Sequence, residues 1–479
     1  VPLLGLILGI FVRFARAAVP TTAVLTLELT DEDLDLGQVG GNVTWTPPAD
    51  VSEVDFWDVY LAFSALGAGR SEIDVGVPVG TNAAVLSIDT DNSYPYILVY
   101  ARNSDGQQVY PSVEMVNDLS VSVSAIDFLD EDVDNIEIGG TVTWTPPLDL
   151  TLVRYYSFYV ATDSTASTRS REGTSDVPVG TNELFLPPDV SAFTYTKFAV
   201  YTKSDLGEQT TPFVASFVDT AAILASFSFL DQDLDETELG GPVSWTALGS
   251  AMSVVTHYNV YFASSSLGFN KKQVGQAAAG TNELEIEPDF VQGTRLYLLV
   301  NIQSAIDEAT GNAAIGVFDS VATVSSVDFL DLDLDLQELG GDVTWDPPTD
   351  VSQVKHYVLY LAYAVDGVTP LEVNASNVSR IYEATYAVGT NLGSFPADTA
   401  LDDWKYVLVY TKSRLFEQST PAGIEISDII RNVTDVSFTD LDLDTNEFGG
   451  MVTWEERFNL TSYIDFYSAY LAEGAAGQG

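Results

Sequence analysis

No cysteine occurs among the 479 residues, and there are only two histidines, three methionines and 19 lysines and arginines. The first absence excludes disulfides, thiolate metal sites and a cysteine nucleophile. The scarcity of histidine removes most zinc chemistry and most general-base triads. Against 69 acidic residues the few basic ones leave a net charge of −50, which repels phosphate at every approach and argues against a nucleic-acid partner. No apolar run reaches the roughly 20 residues that a membrane-spanning helix needs. What is present, 46% hydrophobic and 11% aromatic residues, is too much for a disordered chain. At about 100 to 200 residues per domain, the length implies about three to five domains.

A single unit repeats along the chain. Its Val-Thr-Trp (or Val-Ser-Trp) tryptophan stands at Trp45, Trp144, Trp245, Trp345 and Trp454, spacings of 99, 101, 100 and 109. An acidic run ending in two glycines precedes each tryptophan, and Pro47-Pro48, Pro146-Pro147 and Pro347-Pro348 follow three of them. Further on come Gly80-Thr81-Asn82 and its counterparts at 180–182, 280–282 and 389–391, then an aromatic stretch such as YILVYARNSDG. Period-two alternation, aromatic and β-branched enrichment and turn signals every eight to twelve residues predict short antiparallel strands, and no segment keeps a helical period. About seven strands in about 100 residues is the size of an immunoglobulin-like sandwich.

Val-Thr-Trp followed by Pro-Pro, a Tyr-x-Val-Tyr strand, and Tyr-x-x-x-Val-Tyr closing on Gly-x-x-x-x-Pro resemble the fibronectin type III family over four full repeats. The resemblance implies an all-β fold, a tandem array of immunoglobulin/fibronectin-III-like β-sandwich domains in an elongated rod. The expected division is an apolar segment 1–23, sandwiches at 24–119, 120–220, 221–320 and 321–429, the last with an insertion near Asn374 to Tyr386, and an incomplete fifth at 430–479. The sequence departs from the family in its acidic runs and has no Arg-Gly-Asp tripeptide, which speaks against an integrin-type role.

In each run three aspartates alternate: Asp31, Asp33, Asp35; Asp130, Asp132, Asp134; Asp231, Asp233, Asp235; Asp331, Asp333, Asp335; Asp440, Asp442, Asp444. Glu137, Glu238, Glu338 and Glu447 stand seven residues after the first aspartate, where repeat one has Gln38. These five eight-residue windows hold 22 of the 69 acids, a clustering that general salt adaptation does not explain. In a straight strand the three aspartates would share a face about 7 Å apart, each neighbouring pair repelling by about 0.6 to 2.4 kcal/mol. Hard oxygen ligands without histidine or cysteine suit calcium, which takes six to eight oxygens. Such a site needs a bend and further donors, and Asp118, Asp219, Asp319 and Asp428, each 12 residues before the next run, are the expected ones, placing the ion at the domain junction. The alternative is a solvated acidic edge strand that discourages sheet-to-sheet aggregation. An EF-hand is rejected, because the sixth position lacks glycine and no helices flank the run.

Asn-x-Ser/Thr sequons occur at Asn42, Asn374, Asn377, Asn432 and Asn459, which makes glycans expected. His257 and His356 precede the tyrosine of the strand after the tryptophan and read as packing residues. The segment from Val1 to Val12 is almost wholly apolar, and it reads as a buried strand or as a signal-peptide tail ending in Ala-x-Ala. As a strand, residues 1–19 would complete the open fifth repeat of the next subunit, giving a head-to-tail homopolymer; a window cut from a longer repeat protein competes with that reading. The pattern as a whole points to an extracellular or cell-surface, non-enzymatic structural protein, a calcium-stiffened fibre or surface layer. A cell-surface adhesin or ligand-binding repeat protein is the alternative, and a carbohydrate-active enzyme the third.

Overall fold

The computed structural model describes residues 18–369, 379–456 and 464–474, and the alternating segments form strands throughout it. The one helical element among the described residues is a short 3-10 turn, Ser250–Ser253. The first sandwich contains β1 (Thr26–Asp31), β2 (Gln38–Thr46), β3 (Phe56–Ala62), β4 (Ser71–Pro78), β5 (Ala83–Asp91), β6 (Tyr96–Asn103), β7 (Gly106–Gln107) and β8 (Ser112–Met115). One sheet has the order β1-β2-β5; the other runs β4-β3-β6, with β7 and β8 both pairing β6. All pairings are antiparallel, with Leu27 opposite Trp45 and Leu29 opposite Val43 across β1 and β2. Alternation then sends Val43 and Trp45 inward, while Asn42 and Thr44 stay exposed.

The same two-sheet plan recurs. Glu137–Thr145, Glu238–Gly249 and Glu338–Asp346 are each the centre of a three-stranded sheet, and Tyr155–Ala161, His257–Ala263 and His356–Ala362 lie inside the facing one. The repeated tryptophan packs edge-on against the second residue of the facing strand: Trp45 on Trp57 at 6.4 Å, Trp144 on Tyr156 at 5.5 Å, Trp245 on Tyr258 at 5.2 Å and Trp345 on Tyr357 at 5.4 Å. Aromatic pairs of this kind contribute about 0.5 to 1.5 kcal/mol beyond the area they bury. The Gly-Thr-Asn turn has a matching role, since Asn82, Asn182, Asn282 and Asn391 each accept the tryptophan's backbone amide through their carbonyl.

The histidines differ from expectation. His356 is exposed and His257 half-buried, like exposed Phe56 and Tyr155 at the same strand position; the core residue is the next one, because neighbouring side chains point to opposite faces. Part of the repeat-four insertion is strand rather than loop, since Arg380–Ala387 pairs along His356–Ala362. In the fifth repeat Val433–Asp440 and Gly450–Glu456 form a two-stranded sheet. Residues 464–472 form no strand; in the other repeats the corresponding segment is held between two partners, and no strand lies beside it here among the described residues.

By compactness the chain divides into two units, Val1–Ala222 with Gly249–Val255 and Gln303–Thr310, and Ile223–Leu248 with Thr256–Ile302 and Gly311–Gly479. No helix among the described residues is long and apolar enough to cross a membrane.

Candidate metal centre

The acidic run is not a strand. Beyond Asp31, the last residue of β1, the chain turns, with Asp33 N donating to Asp31 Oδ1 at 3.2 Å, Asp35 N to Asp33 Oδ1 at 3.0 Å and Gly40 N to Asp31 Oδ1 at 3.0 Å. Aspartate readily takes over nearby backbone amides in this way, and amides so engaged cannot serve a neighbouring strand. The solvated-edge alternative is therefore corrected for the first sandwich: Asp31, Asp33 and Asp35 are 5%, 1% and 2% exposed. The same bonds recur in all five runs. The glycine pair closes the turn. Gly41 sits at φ +130°, and a Cβ there would lie 2.3 Å from the Thr30 carbonyl oxygen.

Opposite the run, the pairing of β2 with β5 slips between Val39 and Gly41, and the equivalent slip occurs in the next three sandwiches. The slip puts Asp89, Asp189, Asp289 and Asp398 in the left-handed region, at φ +63°, +65°, +63° and +62°. Their amides then donate to Oδ2 of Asp33, Asp132, Asp233 and Asp333 at 2.7, 2.8, 2.7 and 2.8 Å. Sequence reasoning missed these four aspartates, although their spacings of 100, 100 and 109 keep step with the repeat.

Carboxylate oxygens within 4.8 Å of one another come from Asp33, Asp35 and Asp89; Asp132, Asp134 and Glu137; Asp233, Asp235, Glu238 and Asp289; Asp333, Asp335 and Glu338; and Asp442, Asp444 and Glu447. The first aspartates, Asp31, Asp130, Asp231, Asp331 and Asp440, are in none of these groups and instead hold the turn. Asp118 does not join the following run. Its Oδ2 accepts from Gly37 N at 2.8 Å, in the run of its own sandwich, as Asp219, Asp319 and Asp428 accept from Ile136, Thr237 and Gln337. The reason is sandwich closure, which brings the end of a repeat back beside its beginning. The other oxygen, Oδ1, of Asp118, Asp219, Asp319 and Asp428 is buried without a hydrogen-bond partner.

Electrostatically these sites carry negative charge with little to offset it. Burial pushes Asp231 up to about 7 and Asp130 up to about 6 from a usual 3.8. Glu238 is raised by burial and then by Asp233, Asp235, Asp289 and Asp319, all of one sign. Glu137 and Glu338 are raised for the same reasons. In the fourth sandwich Asp333 is instead held below the usual range, first by the Asp398 amide. A concave group of oxygens with no nitrogen or sulfur among them matches the preferences of a hard divalent cation.

Of the sequons, Asn42 and Asn432 are exposed; Asn374, Asn377 and Asn459 lie outside the described residues, as do residues 1–17 of the expected donor strand at 1–19.

No known protein family matches the chain, and neither does any curated protein. Among solved structures, the FN1–FN3 domains of chicken CNTN1 align at 12% identity and a TM-score of 0.22, covering 64% of this chain and 97% of that one. The N-terminal eight Ig domains of Down Syndrome Cell Adhesion Molecule align at 8% identity and a TM-score of 0.23, covering 83% and 56%. Strand order within each of the first four repeats carries the fold: the chain is all-β, a tandem array of immunoglobulin/fibronectin-III-like β-sandwiches.

Proposed function

We propose that the protein is an extracellular structural repeat protein whose sandwiches are stiffened by calcium bound at the acidic turns, and that it serves in a fibre or surface layer. The observation that carries this reading is the buried, partnerless Oδ1 of Asp118, Asp219, Asp319 and Asp428, the same atom in four repeats; Asp219 and Asp319 are near enough to raise Glu137 and Glu238 of the oxygen groups by their charge. An unpaired buried carboxylate oxygen is costly, and a cation supplies what it lacks. Catalysis needs one site, whereas stiffening an array needs one in every unit. Asp233, Asp235, Glu238 and Asp289 would hold the ion in the third sandwich, and the corresponding groups in the others.

Calcium titration of the full chain by calorimetry tests this. About four ions per chain, one for each complete sandwich, are expected, with a thermal unfolding midpoint that falls on chelation. If binding is absent and the midpoint is the same in millimolar calcium and in chelator, the proposal is wrong.

A further inference from the structure

One apolar residue stands between the second and third aspartates of each run, and in the first and third runs it is buried outside its own sandwich. Leu34, 2% exposed, clusters with Val121, Val123, Ile138 and Trp144 of the second sandwich. Leu234, 1% exposed, clusters with Ala322, Val324, Leu339 and Trp345 of the fourth. Val121 N donates to the Leu34 carbonyl and Ala322 N to that of Leu234, both at 3.0 Å.

The third aspartate faces the same neighbour. Asp35 accepts from the amides of Thr210 and Thr211 and from the Thr211 hydroxyl. Asp235 accepts from the amides of Ser419 and Thr420 and from the Thr420 hydroxyl. Asp134 likewise takes the amide and hydroxyl of Thr310, at 2.6 and 3.0 Å. Asp35 and Asp235 are each 2% exposed. Asp335 ends an equivalent run, yet is exposed and has no covering turn among the described residues. The neighbour's turn, not the run itself, therefore buries this carboxylate. Charge-assisted bonds offset the cost of burying it, and the turn contributes no carboxylate to the metal groups.

We infer that the third aspartate and the hydroxyl-bearing turn of the following sandwich form a latch that fixes consecutive sandwiches, first to second and third to fourth, without any metal ion. It goes beyond the calcium reading: Asp35 and Asp235 belong to the oxygen groups but Thr211 and Thr420 do not, so a substitution at the threonine tests the latch apart from the ion.

The cysteine-free chain allows spin labels at Glu53→Cys and Thr174→Cys, exposed positions on the first and second sandwiches, with their separation measured by pulsed electron paramagnetic resonance on the full chain. In chelator, Thr211→Val should broaden the distance distribution about twofold, while Thr211→Ser, which keeps the hydroxyl, should match the parent. Broadening by Thr211→Val in a chain that binds no calcium would sustain the latch and remove the calcium proposal. A Thr211→Val distribution superimposable on the parent in chelator would overturn the latch. So would a distribution that widens only on chelation and ignores Thr211, and calcium stiffening would survive that result.

Discussion

At the scale of single residues, backbone strain and buried charge are the sensitive points. Gly41 and Gly80 both have positive φ, +130° and +101°, but a Cβ meets the Thr30 oxygen at Gly41 and nothing within 4 Å at Gly80. Gly80→Ala should therefore cost only the left-handed strain, about 1 to 2 kcal/mol. Gly41→Ala adds a backbone clash that opens the acidic turn, and urea unfolding should show a loss of at least about 3 kcal/mol. Asp231 and Asp130 give a pH dependence. Their folded values of about 7 and about 6 lie above the usual 3.8, so the native chain binds more protons than the unfolded one in between. Their contribution to stability is present below about 4 and is lost as pH rises through about 6 to 7. In chelator the urea midpoint should be higher at pH 5 than at pH 8, and Asp231→Asn should flatten that slope; a rising midpoint would contradict the assignment.

The acidic turn is the element that combines the most roles. Its side chains cap their own amides, its glycines permit the tight return, and in the first and third runs its central leucine leaves the sandwich that carries it. Because Leu34 belongs to the second sandwich's cluster, Leu34→Ala should destabilise that sandwich by about 2 to 5 kcal/mol. Hydrogen exchange should show lost protection in Glu137–Thr145, while Gln38–Thr46 keeps its own. Equal loss in both strands would mean that the leucine serves the first sandwich. The bulged strand opposite is the second half of the device. A regular β5 would point the Asp89 amide elsewhere and leave Asp33 Oδ2 without the donor it has at 2.7 Å.

For the whole molecule, a net charge of −50 adds self-repulsion to the terms that oppose the folded state. Much of the charge is concentrated in the turns, so screening and cation binding act at the same places. In chelator, raising sodium chloride from about 0.01 to 1 M shortens the Debye length from about 30 to 3 Å, and the thermal midpoint should climb with it. If calcium binds as proposed, the climb in millimolar calcium should be much smaller, because the ions would already neutralise the turns. Identical salt dependence in the two conditions would show that calcium does not reach them.

Strand existence, the sandwich plan and the inward tryptophan were legible in the sequence, because alternation and a period near 100 residues are local properties of the chain and each repeat states them again. The run's aspartates were legible as a group for the same reason. Asp89, Asp189, Asp289 and Asp398 were not, since only a register slip on the opposite strand turns their amides toward the run. Nor could spacing show which run Asp118 serves: 12 residues separate it from Asp130 and 83 from Asp35, yet closure of the sandwich brings it to Gly37. The burial of Leu34 and Asp35 lay furthest from the sequence. An acidic segment reads as solvated until a neighbouring domain covers it, and whether Thr210 and Thr211, 175 and 176 residues away from Asp35, supply the donors that make burial tolerable is decided only when two sandwiches pack.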